Sequence, residues 1–284
     1  MFLALNNVLI SGRVPWPDFA RLAAKVGFPG TDVMLKPAMK GGAGATRDLL
    51  AELKIRPAVL DFPVEFRKDD AAFQTGLASL PDAAKFAAAI DCPRMVTYIM
   101  ASSPTPKDEL RALLKQRFTA CAKILADSGV RLGLEFLGPL HLRKANPHEF
   151  IWQMNEMLEF AKECGPNVGL LLDIWHWHHA GATTDDILHA GRERIVHVHF
   201  SDAPKLPPEQ IKDNERLLPG EGVINTTGFL KALKKIGYRD ALSIEVFGRG
   251  LKDMPPEQAA KMALDAGDAQ FKKAGIATPW VHGR

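Results

Sequence analysis

The chain has 284 residues, 46% of them apolar and 24% charged, with a formal net charge of +3. That length and apolar content suit one α/β domain over residues 1–284 with a continuous core. The small charge, with no Lys/Arg run to track a phosphate backbone, argues against a nucleic-acid partner. No stretch approaches the ~20 apolar residues of a membrane span. The three cysteines (Cys92, Cys121, Cys164) lack C-x-x-C spacing, which suits reduced thiols in a cytoplasmic setting.

The opening MFLALNNVLI has no basic leader and is interrupted by Asn6 and Asn7, so it reads as a strand rather than a signal peptide. The helix pattern PDFARLAAKVG follows. GTDVMLK is a second strand, and KGGAGAT after it is expected to be a flexible loop over a barrel mouth, ahead of the helix ATRDLLAELK. RPAVLDFP precedes a long helical stretch through DAAKFAAAI, and RMVTYIMAS precedes KDELRALLKQRFTACAKILADSG. VRLGLEFLG leads to PHEFIWQMNEMLEFAKECG, VGLLLDIWH to a short helix near TTDDILHAG, IVHVHFSD to TTGFLKALKKIG, and ALSIEVFG to PPEQAAKMALDAGDAQFKKAG. Pro15, Pro106 and Pro147 fall near helix starts, and Gly27, Gly129, Gly165, Gly237 and Gly275 just past helix ends. Eight strand–helix units of this spacing predict a single-domain (β/α)8 TIM barrel. A doubly wound open sheet is the alternative, but ISGRVPWP after the first strand and KGGAGAT after the second do not match its G-x-G-x-x-G turn.

Glu135, Asp173, His199 and Glu245 each close one of the last four strand-like runs. Reactive residues of such barrels sit at the C-terminal strand ends. Strand period two puts Glu135 on a face with Gly133, His199 with His197 and Glu245 with Ser243, while Leu132, Leu134, Val198, Ile244 and Val246 point out toward helices. The polar face is then the barrel interior, where unpaired carboxylates are costly. Few Lys or Arg lie on the same strand ends, so ion pairs do not account for all four residues. One divalent cation does. Three carboxylates and an imidazole favour Mn, Mg or Co, with Zn or Fe acceptable. His197, one pleat below His199, is expected to be a buried hydrogen-bonded histidine rather than a ligand. Asp202 is expected to orient His199 or a loop residue. Trp175 and Trp177 are candidates to stack on a sugar ring, with at least one packing under its loop. Lys205 and Arg216 are candidate substrate contacts, and Glu221 is expected to be structural. Asn6, Lys36 and Glu65 are weaker candidates to line the pocket from the first half.

The second half resembles the xylose isomerase-like superfamily of sugar isomerases and epimerases, which also holds inosose dehydratases and apurinic endonucleases. The resemblance rests on Glu135 after an apolar strand, D-x-x-H at Asp173 to His176, and H-x-x-D at His199 to Asp202. R-x-x-P-G-x-G at Arg216 to Gly222 and S-I-E-V at Ser243 to Val246 complete it. It implies metal ligands Glu135, Asp173, His199 and Glu245. It also implies a substrate contact at His176 and closure of the Arg216 region on the substrate. The implied chemistry is proton abstraction beside a carbonyl, with Glu135 and Glu245 as acid–base groups and a metal-steadied enediolate, acting on a sugar or keto-sugar. A metal-dependent dehydratase or lyase of a keto-inositol or keto-glycoside is the second reading, and a non-catalytic sugar-binding barrel the third. The endonuclease branch is set aside: no histidine precedes His141, and Asn214-Glu215-Arg216 stands where that branch has D-x-H. A homo-oligomer would be ordinary for the superfamily.

Overall fold

The structure is a computed structural model that describes residues 1–278; residues 279–284 of the expected domain lie outside it. Eight parallel strands close into a barrel, each paired with the next and the last with the first. They are β1 (Phe2–Leu5), β2 (Gly30–Val33), β3 (Arg56–Asp61), β4 (Arg94–Tyr98), β5 (Arg131–Glu135), β6 (Val168–Asp173), β7 (Ile195–Phe200) and β8 (Ala241–Ile244). A parallel strand covered on both faces reads as an apolar run, and β6 and β7 are buried at every position. Outward residues such as Leu132, Leu134, Val198 and Ile244 join the surrounding helices in one core. Inside the barrel, Phe2, Ala4, Ala58 and Ala241 close one end, and Val59, Val96 and Leu171 fill the middle. The space beside Gly133 belongs to these neighbours: a Cβ there would lie 3.0 Å from Val96 Cγ1 and 3.1 Å from the Leu171 nitrogen.

Three elements differ from the sequence expectation. The Gly-rich KGGAGAT is helical, carried by helices Leu35–Gly41 and Ala43–Leu53 that break only at Gly42, where φ is +91°. An internal glycine costs roughly 1 kcal/mol of helix propensity, and burial of Leu35, Ala38, Thr46 and Leu50 offsets it. Pro147 opens no helix. His148–Glu149 pairs with Ser102–Ser103 in a small antiparallel ribbon, and the helix begins at Met154. The residues after β6 form a short helix, Ile174–His179, rather than an open loop; the Asp173 carboxylate caps it by accepting from the Trp175 N–H at 2.7 Å. The three cysteines are buried and free. Among the described residues no helix is long and apolar enough to cross a membrane.

Candidate active site

Inward-facing ends of neighbouring strands bring distant residues together at one rim. Glu135 ends β5, Asp173 ends β6, His199 is the penultimate residue of β7, and Glu245 follows β8 directly. The β6–β7 pairing slips by one residue after Leu170–Ile195, so Asp173 lies opposite His199. Without that slip Asp173 would face Val198, and both β7 histidines would be out of step with the acid. On the other side His199 lies opposite Ser243 of β8.

One donor atom from each of Glu135, Asp173, His199 and Glu245 lies within 4.8 Å of every other, and all four residues are buried. His199 Nδ1 is 3.1 Å from Glu245 Oε2, 3.6 Å from Glu135 Oε1 and 3.9 Å from Asp173 Oδ2. Donor atoms at ~2.1 Å from a common ion stand roughly 3.0–4.2 Å apart, so these separations suit a single divalent cation. Glu135 Oε1 and His199 Nδ1 have no hydrogen-bond partner among the described residues. Buried polar atoms that lack a hydrogen bond and crowd around one point are what ligand atoms look like.

A guanidinium also reaches this cluster. Arg216 comes from the long loop after β7 and is almost completely buried. Its Nη1 donates to Asp173 Oδ2 at 2.7 Å and to Glu245 Oε2 at 2.8 Å, and its Nη2 donates to Asp213 Oδ1 at 2.9 Å. The expectation that ion pairs play little part here is therefore corrected for two of the four residues. The cation arrives from a loop rather than from a strand end, which no strand pattern displays. Burial alone would raise the Asp173 carboxyl, but Arg216, then His176 and His199, overcome it and hold it well below the usual range. Burial would likewise lower His199, yet Glu245 and Glu135 raise it well above an ordinary histidine. Glu135 is pushed up to about 8, chiefly by burial, against the pull of His199. The field of the site thus draws positive charge.

His176 is buried on the short helix, and Arg216 Nη2 donates to its Nε2 at 3.2 Å. Arginine cannot accept, so the imidazole proton is on Nδ1, an atom without a partner among the described residues. Burial lowers the His176 pKa, against Asp173, and the ring is neutral. His197 is fully buried and meets Ser243 Oγ at 2.9 Å, as a hydrogen-bonded core histidine should. Asp202 does not touch His199 through any hydrogen bond. It accepts the backbone N–H groups of Ala203, Gly220, Gly222 and Ile224 at 2.8–3.0 Å and so folds the loop that delivers Arg216. Glu221 in the same loop pairs with Arg249. Trp175 is corrected: it is fully buried, edge-on to His179 at 4.5 Å and beneath the Arg216 guanidinium at 5.4 Å, with no face free for a sugar. Trp177 packs on Phe229 and donates to the Thr183 carbonyl. Lys205 is exposed on the loop and is not part of the cluster.

Two acids escaped the sequence reading. Asp32 of β2 and Asp61 at the end of β3 line an inner cavity of about 70 Å³ together with Asn6, His199 and Glu245. The cavity shares Asn7, Met34 and Asp61 with an outer one of about 430 Å³, which Lys36 and Glu65 also line. Ser243 Oγ donates to Asp32 Oδ1 at 2.5 Å, so a hydrogen-bonded chain runs from the buried His197 through Ser243 to the partly buried Asp32. Burial pushes the Asp32 carboxyl up to about 7, against His199 and this hydrogen bond. Asp61 closes its apolar run just as Glu135 and Asp173 close theirs; that was the available signal.

Residues 20–269 match the family model described as xylose isomerase-like TIM barrel. An inosose isomerase of Halalkalibacterium halodurans is 28% identical over 74% of this chain and 73% of its own length. For three further Bacillus relatives of that name the match spans 54–58% of their length. A 3-dehydroshikimate dehydratase of Pseudomonas aeruginosa is 32% identical over 51% of this chain, which is 22% of that longer protein. Among solved structures, a xylose isomerase domain protein from Alicyclobacillus acidocaldarius superposes with a TM-score of 0.89 at 28% identity, over 97% of this chain and 99% of that one.

Proposed function

The chain belongs to the xylose isomerase-like TIM barrel family, and on that premise we propose that it is a divalent-metal-dependent isomerase or epimerase of a sugar or keto-sugar. The observation that carries this reading is the convergence of Glu135, Asp173, His199 and Glu245 to within one ion's reach. The similarity to inosose isomerases supports it. The donor set suits Mn, Mg or Co, with Zn or Fe compatible. A bound cation would polarise a substrate carbonyl and spread the negative charge that develops as the neighbouring carbon loses its proton.

The chain's own residues do the rest. Glu135 and Glu245 reach the rim from β5 and β8, and one takes the proton that the other, or a water, returns. Arg216 fixes the Asp173 and Glu245 carboxylates by donating to both from a single nitrogen. His176 presents its Nδ1–H as a donor to a substrate oxygen. The test is proton NMR in deuterated buffer with added Mn, screening keto-sugars and keto-inositols. The expected outcome is incorporation of solvent deuterium without loss of water, abolished by EDTA. Turnover that ignores EDTA would reject the reading.

The dehydratase similarity supports one alternative, a metal-dependent lyase. The same proton abstraction would be followed by expulsion of a β-oxygen, and an enone in the NMR spectrum would reveal it. A sugar-binding barrel without turnover would bind its ligand with no deuterium exchange.

A further inference from the structure

We propose that Asn6, Asp32 and Asp61, at the C-terminal ends of β1–β3, form a hydroxyl-binding subsite that selects an uncharged polyol and turns away its phosphorylated and carboxylated counterparts. The inference rests on the sugar-isomerase reading above and names the class of sugar.

Three observations carry it. Asn6 is only 6% exposed and lines the inner cavity. Its Oδ1 accepts from the Val8 N–H at 2.8 Å, which fixes the amide orientation and leaves the NH2 without a partner among the described residues. An amide held in this orientation in the cavity wall has its donors free for an acceptor there. The second observation is the pair of acids. Asp32 uses Oδ1 to accept from Ser243, leaving Oδ2 open, and the Asp61 carboxylate, which lines the same cavity, makes no hydrogen bond or ion pair with the described residues. Hydroxyls are the groups that both accept from an amide and donate to a carboxylate, and O–H···O⁻ bonds are the strong kind. The third is the sign of the charge. Among the described residues no Lys or Arg lines the inner cavity. Arg216 is committed to Asp173, Glu245 and Asp213. Lys36 lines only the outer cavity, whose wall also carries Asp61 and Glu65. An anionic substituent in the inner cavity would meet the Asp32, Asp61 and Glu245 carboxylates with no Lys or Arg among the described residues lining that cavity, and like charge facing like is how a site rejects a wrong ligand. Two of the three side chains are already held in place, Asp32 by the Ser243 bond and Asn6 by the Val8 bond.

The test is calorimetric binding of paired probes, myo-inositol against myo-inositol 1-phosphate and D-fructose against D-fructose 6-phosphate, each with Mn and again with EDTA. The wild type is expected to bind at least one neutral probe about tenfold more tightly than its phosphate ester. Asp32→Asn and Asp61→Asn are each expected to weaken neutral binding about five- to tenfold and to narrow the discrimination. Asn6→Asp keeps the oxygen that accepts from Val8 while removing the donor, and is expected to weaken neutral binding by a similar factor. Phosphate esters that bind as tightly as the neutral probes overturn the proposal. So do variants that bind like wild type, or neutral probes that all fail to bind. Metal content is measured alongside: a second equivalent of Mn lost in Asp32→Asn would mean that these acids hold a cation instead. Indifference of turnover to EDTA strikes the isomerase reading. Indifference of binding to the three substitutions strikes the subsite.

Discussion

Asp173 on β6 and Asp61 on β3 both close an apolar strand at an inward position, yet they end in opposite circumstances. Asp173 is fully buried, caps the helix that follows it and bonds Arg216, while Asp61 opens onto the cavity with no partner among the described residues. The strands treat them alike; the loops do not. The loop after β7 is pinned by Asp202 and returns a guanidinium to the β6–β8 rim. Among the described residues nothing comparable reaches the β2–β3 rim, which stays open. One half of the barrel is thus a closed, charge-compensated cluster fit for an ion, and the other an acidic recess fit for solvent-like groups.

The largest expected effect lies in the closed half. Glu135→Gln should lower turnover by about a thousandfold, within the range removed with an acid–base group, while circular dichroism remains that of wild type. Retained deuterium exchange would take Glu135 out of the reaction. Next, Arg216→Met strands Asp173 and Glu245 in the interior. In chelated protein urea unfolding should show a loss of about 3–5 kcal/mol; a loss below about 1 kcal/mol would mean the two acids do not depend on it. Adding Mn at about 100 times its dissociation constant should stabilise the wild type by about 2.7 kcal/mol, read as a rise in Tm, and Asp173→Asn should lose most of that rise. Gly138→Ala probes how the β5 loop seats on the short helix, since a Cβ there would sit 2.5 Å from the His176 carbonyl oxygen. Overpacking of this kind costs about 1–3 kcal/mol, measured in the same urea series. The smallest effects belong to the open side. Asp61→Asn and Lys205→Ala should each leave stability within about 0.5 kcal/mol. A substantial loss from Asp61→Asn would erase the contrast between the two halves.

Much of this was legible in the chain. Strand-terminal acids and a histidine stand out because ionisable groups seldom end consecutive buried strands, so Glu135, Asp173, His199 and Glu245 could be read without coordinates. His197 as a core histidine followed from period two. Trp175 misled because an indole beside a site histidine looks the same whether it faces a sugar or the underside of a guanidinium. The helix in KGGAGAT was hidden because local propensity speaks against it and burial of Leu35, Ala38 and Leu50 decides it. Asp32 was hidden by its place inside an apolar run rather than at its end.

The amino-acid sequence by itself determined the eightfold strand–helix rhythm and which four ionisable residues close the last strands, because period and burial cost are local properties of a chain. Only the tertiary structure decided the one-residue slip that sets Asp173 against His199, the return of Arg216 across more than forty positions of sequence to bond Asp173, and the openness of the β1–β3 rim. Those depend on which strand edges meet and where a long loop is tied down, and neither is encoded within any single segment.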